Sequence, residues 1–109
     1  MLEVKKRDEM FSTIMEMSDR QVDPIVKNRL KSFLNRSNED IKDELLGLID
    51  DIVCCSWTSD FEISILNIIW MNIGGSKTEL LKRNKQLPLK MKEWQDKYKW
   101  QVAHFNVEI

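Results

Sequence analysis

Ile41, Leu45, Leu48, Ile52 and Cys55 stand at i, i+4, i+7, i+11 and i+14, a spacing that gathers them on one side of an α-helix and on no single face of a strand. Leu46, Ile49 and Val53 widen the stripe on one flank, so about half of the cylinder is apolar. The other half carries Glu39, Asp40, Asp43, Glu44, Asp50 and Asp51 against one lysine, Lys42. A helix built this way has to lay its apolar half on other elements, which points to a helical bundle assembled around it. Ser37 opens it as the N-cap, in an S-N-E-D run that approximates a capping box with Asp where Glu or Gln would complete it. At 100° per residue, Cys55 joins the apolar half and Cys54 the charged half.

Only three Gly and two Pro interrupt 109 residues, and four of these five fall where a helix would begin or end. Residues 3–17 set Val4, Met10, Phe11, Ile14 and Met17 near one face, with Met15 beside it. Core packing is the expected role of the three methionines, with a pliable binding face as the alternative. Asp23-Pro24 reads as an N-cap followed by Pro at the first helical position, opening a short helix with Val26, Leu30, Phe33 and Leu34 on its inner side. S-D-F-E from Ser59 to Glu62 is a full capping box, and its helix runs through Ile73 to Gly74, where a helix-ending residue is expected.

Apolar side chains surround most of that cylinder, with Asp60, Ser64 and Asn67 as a narrow polar strip, so it is expected to be the central, most buried helix. Residues 61–73 are also rich in β-branched and aromatic side chains, as a strand would be. Helix is preferred because both ends are marked and no second strand-like run exists to pair with it. S-K-T-E from Ser76 to Glu79 is another capping box, opening a short basic helix to about Lys85. Gln86-Leu87-Pro88 breaks it, and a last helix from about Pro88 to Phe105 has Met91, Trp94, Tyr98, Val102 and Phe105 as its stripe. The resulting expectation is an all-α fold: one compact domain over residues 1–109, a bundle of about five to six short helices.

A chain of 109 residues buries roughly two-thirds of its extended surface, enough for one core and too little for barrels or dinucleotide-binding folds. With 42% hydrophobic residues and a net charge of -1, disorder is disfavoured. MLEVKKRDEMF has no apolar stretch after its charges, so no secretory signal is expected, and residues 61–73 are too few to span a bilayer. Adjacent Cys54 and Cys55 suit neither a disulfide framework nor a zinc knuckle. A reduced, cytoplasmic protein without membrane contact is expected.

Catalysis is not expected. The run from Ile73 to Thr78 imitates a phosphate loop but has Ser76 where Gly must precede the lysine, and reads better as a helix end followed by an N-cap. His104 is the only imidazole, so neither a multi-histidine metal site nor a histidine dyad is available, and nothing in the spacing pairs it with a cysteine. The acids at 39–51 look like the solvated half of an amphipathic helix, without a cleft to raise a pKa. No cofactor and no metal are expected.

Charge is distributed unevenly. Residues 1–75 hold 14 acidic and 9 basic side chains, a balance of -5, whereas residues 76–109 hold 4 and 8, a balance of +4. Packing of the basic segment beside the acidic helix within one molecule would explain this without any function. The functional expectation is a protein-binding module, most specifically a small inhibitor of the immunity or antitoxin kind. It would set Glu39, Asp40, Asp43, Glu44, Asp50 and Asp51 against a basic site on another protein. Trp100 projects about 120° away from the last helix's stripe, near Lys97 and His104, and these three are candidate anchors of an interface; Trp57, between two helices, reads as a packing corner. A nucleic-acid-associated protein using the basic segment 77–99 with Trp100 for stacking is the alternative, weakened by the acidic balance of the rest. A structural subunit or homo-oligomer is the third expectation.

Overall fold

A computed structural model describes residues 2–54 and 60–83, together with Glu93 and Asp96. Five α-helices follow one another among the described residues: α1 (Val4–Met15), α2 (Pro24–Phe33), α3 (Asn38–Val53), α4 (Asp60–Asn72) and α5 (Lys77–Arg83). The described residues contain no strand, so residues 60–72 are helix and the strand alternative is closed. None of the described helices is long and apolar enough to cross a membrane. Cys55, Trp57, Ser59 and the segment from Lys85 onward, including the expected last helix with Trp94 and Tyr98, lie outside the described residues; Glu93 and Asp96 are helical and exposed.

Local chemistry sets the helix starts. Asp23 has extended backbone, its carboxylate accepts from the Ile25 N–H at 2.8 Å, and Pro24 follows with its preset φ. Ser37 accepts from the Asp40 N–H at 3.2 Å at the head of α3. Gly74, at φ 91°, ends α4 in the left-handed conformation that glycine adopts without strain. Gly75 has a different reason: a Cβ there would fall 2.2 Å from the indole of Trp70, which lies across it and donates through Nε1 to the Ser76 carbonyl at 3.0 Å. The Gly-Gly pair thus closes one helix and clears space for a tryptophan.

Met10, Phe11 and Ile14 of α1, Val26, Leu30 and Phe33 of α2, and Ile41, Leu45, Leu48, Ile49 and Ile52 of α3 are buried in one core. Ile65, Leu66, Ile68, Ile69 and Trp70 of α4 join them. α4 is buried from Ile65 through Trp70, and of its polar strip Ser64 and Asn67 are out of solvent, Asn67 donating to the Ile63 carbonyl at 2.5 Å. In this core α3 packs chiefly on α4 and α1 on α2, while α2 and α3 meet more narrowly. The methionines of the first segment divide, Met10 fully buried, Met15 and Met17 packed at the margin.

The α1/α2 pair is tied by reciprocal cations. Arg7, the fourth residue of α1, is fully buried and donates to the Phe33 carbonyl at 3.1 Å and the Arg36 carbonyl at 2.5 Å, at the C-terminal end of α2. Lys27, the fourth residue of α2, donates to the Met17 carbonyl just beyond α1 and to Asp19 at 2.8 Å. Side chains lean toward the N-terminus of their own helix, so in an antiparallel pair each early cation meets the other helix's orphan carbonyls and negative dipole end. Arg7 also donates to Asn38 Oδ1 at 2.7 Å and to Asp8 Oδ1 at 2.9 Å, and stands 5.5 Å over the Phe11 ring. Asp8 in turn accepts the N–H of Asn35, whose φ of 64° needs such support, and Asn38 donates to the Leu2 carbonyl.

Candidate functional site

Helix periodicity puts the six acids of α3 opposite its buried stripe, and the structure keeps them there. Glu39, Asp40, Asp43, Glu44 and Asp51 are exposed, Asp50 partly so, and Cys54 at the C-terminal end of the helix is an exposed free thiol. The first two, in the opening turn, are also where negative charge suits the helix dipole.

Among the described residues, the cations from elsewhere in the chain that meet this face come from α2 and the turn after it; most of the basic C-terminal part lies outside those residues. Arg36 reaches Glu44 at 2.5 Å and donates to the Asp40 carbonyl at 3.4 Å, and Arg29, one heptad earlier, reaches Asp51 at 3.5 Å. Lys42 pairs with Glu39 one turn away at 3.2 Å. Asp43 makes no ion pair among the described residues. Glu39 remains 85% and Asp51 69% exposed despite their partners, so these are solvent-screened pairs worth little to the fold. Among the described residues the α2-facing flank therefore has its own cations, while Asp43 on the outermost line does not.

Glu62 shows an acid used differently. The sequence casts it as the last member of the capping box of α4, whose Ser59 lies outside the described residues; its buried carboxylate accepts from the N–H of Asp23, the N-cap of α2. That is the bond a Glu at the third position of α2 would make, and Val26 stands there instead.

Of the other candidates, Lys97, Trp100 and His104 lie outside the described residues, as does most of the basic segment 77–99. Within it, Lys77 and Lys82 are exposed, and Lys82 pairs locally with Glu79 at 3.3 Å. No group of three or more His, Cys, Asp or Glu among the described residues is placed to hold a metal ion. A shallow open groove of about 670 Å³ between α1 and the turn after α2 is lined by Lys5, Asp8, Ser12, Leu34 and their neighbours. Ile25, 69% exposed at the start of α2, is the one large apolar side chain left in solvent among the described residues.

The sequence reading missed Arg7, Arg29 and Arg36. A signal existed for Arg7, which stands four residues before Phe11 and seven before Ile14, on the apolar stripe itself. Arg29 and Arg36 carry no such signal, because which acids they meet depends on how α2 lies against α3. Comparison with family models, with curated proteins and with solved structures gives no match for this chain.

Proposed function

We propose that this chain is a non-catalytic protein-binding module that presents the outer face of α3 to a basic surface on another protein. One observation carries the reading: the fold leaves most of these carboxylates exposed, whereas its buried charges, Arg7 and Glu62, reach groups inside the molecule, backbone among them. A carboxylate held in water on a rigid helix costs little to approach and attracts cations over about a Debye length of 8–10 Å at ordinary salt. The finer form of the proposal is a small inhibitor of the immunity, antitoxin or host-factor-blocking sort, whose acidic helix occupies a basic site on its target and associates fast and salt-sensitively.

The experiment is a calorimetric titration of the full chain with a lysine-rich peptide, at about 0.01 M and about 0.15 M ionic strength, the range over which screening changes most. Affinity should fall at least about tenfold across that range, and charge reversal of Asp43, Asp50 and Asp51 to lysine should remove it. Unchanged affinity and unchanged salt dependence in the reversed chain would refute the reading. Tight binding of a single-stranded oligonucleotide in place of the peptide would favour the nucleic-acid alternative.

A further inference from the structure

The turn between α2 and α3 sets one hydroxyl in the open. Ser37 is exposed, its backbone is extended at φ -65° and ψ 157°, and its side chain accepts from the Asp40 N–H at 3.2 Å. Exposed acids follow at the second and third positions, Glu39 and Asp40, and one turn further on at Asp43 and Glu44. Capping explains the serine but not the acids. In a complete capping box the third-position acid returns a bond to the N–H of the cap. Among the described residues no such bond returns from Asp40, whose side chain stands in solvent.

Three other hydroxyls, Thr13, Ser59 and Ser76, also have an acid three residues on, and each differs from Ser37. Thr13 lies inside α1 and donates to the Glu9 carbonyl at 3.0 Å. The acid after Ser59 is Glu62, which is buried. Ser76 is followed directly by Lys77, and its acid, Glu79, pairs with Lys82 at 3.3 Å. Ser37 alone joins an exposed hydroxyl in a turn to two exposed acids at the second and third positions. Kinases select substrates by such charge patterns, and this one suits a kinase with a basic substrate groove.

We propose that Ser37 is a phosphorylation site for an acidophilic serine/threonine kinase, and that Arg36 and the head of α3 receive the phosphate. The transfer joins Ser37 Oγ to the γ-phosphorus of a nucleoside triphosphate as the bond to the β-phosphate breaks. The diphosphate leaves, and the hydroxyl proton passes to the catalytic aspartate of the kinase. The product adds a charge of about -1.5 to -2 at neutral pH. Glu39 and Asp40 repel it, and two features offset them. Arg36 already lies along the first turn, donating to the Asp40 carbonyl at 3.4 Å, and its pair with Glu44 is open to water and can be exchanged. The N–H groups of Asn38 and Glu39 have no partner within the helix and sit at its positive dipole end. The site stands whether or not α3 docks on a basic protein.

The test incubates the full chain with an acidophilic kinase of the casein-kinase type, magnesium and ATP, and locates phosphate by fragmentation mass spectrometry. Ser37→Asn, which keeps a capping side chain, should take up at least tenfold less phosphate. Glu39→Gln with Asp40→Asn should slow the transfer at least tenfold. The phosphorylated chain should melt about 1–4 °C above the unmodified one, the scale of a charge at a helix end, and the gain should vanish in Arg36→Gln. No phosphate at Ser37 from a kinase active on an acidic serine peptide would overturn the proposal, as would uptake unchanged in Ser37→Asn. Phosphorylation that lowers the melting temperature, or raises it equally in Arg36→Gln, would refute the receiving role of Arg36.

Discussion

The α1/α2 seam and the outer face of α3 both contain charged side chains, and the two regions use them in opposite ways. At the seam, Arg7 is sealed from solvent with backbone carbonyls, an amide oxygen and a carboxylate around it, and Lys27 reaches a carbonyl at the other end of the pair. On α3, carboxylates meet arginines that water also reaches, and Asp43 meets no cation among the described residues. Position relative to a helix end makes the difference. A cation near the start of one helix of an antiparallel pair finds the unsatisfied carbonyls of the other, whereas acids along the middle of a helix find only its saturated flank. Charge of the first kind holds the fold, and charge of the second kind stays largely in solvent.

Removing Arg7 should break this contrast most severely. Arg7→Met leaves the Phe33 and Arg36 carbonyls and Asp8 without their donor in a buried setting, and a loss of about 3–5 kcal/mol is expected in urea unfolding. Against a total of about 5–15 kcal/mol for a domain, that approaches loss of the fold; a loss below about 1 kcal/mol would mean the hub is not what joins α1 to α2. Next is the α3/α4 seam, held by oil. Leu66→Ala empties a fully buried site in α4 and should cost about 3 kcal/mol, with no dependence on salt. Lys27→Met deletes the half of the reciprocal pair nearer to solvent and should cost about 1 kcal/mol. The smallest effect belongs to the acidic face, where Asp51→Asn should shift stability by no more than about 0.5 kcal/mol. An Asp51→Asn loss comparable to that of Lys27→Met would erase the distinction between the regions.

Much of the fold was legible because its signals are local. Asp23-Pro24, the Ser37 cap, the helix at 60–72 and its end at Gly74 each depend on residues within one turn of one another. The outer face of α3 was legible for the same reason, since a single helix's periodicity decides which half meets water. Pairings set by tertiary approach were not. Glu62 reads as a local cap, and nothing local says that α4 brings it to the N-cap of α2; Gly75 reads as part of a helix end, while its bareness answers to Trp70 folding back over it. The arginines that meet one flank of α3 come from α2 and the turn after it, whose own sequence says nothing about a neighbour. Arg7 lies between these cases, placed on the apolar stripe by periodicity and assigned its carbonyls only by the packing of α2.

Amide chemical-shift mapping of the full chain during titration with the lysine-rich peptide tests most directly whether the exposed acids of α3 are the ones that bind. Perturbations should concentrate on the outer line of α3, at Asp43, Gly47 and Asp50, with the amides of Arg7 and Lys27 unmoved. Perturbations centred on the α1/α2 seam or on α5, with α3 silent, would contradict it.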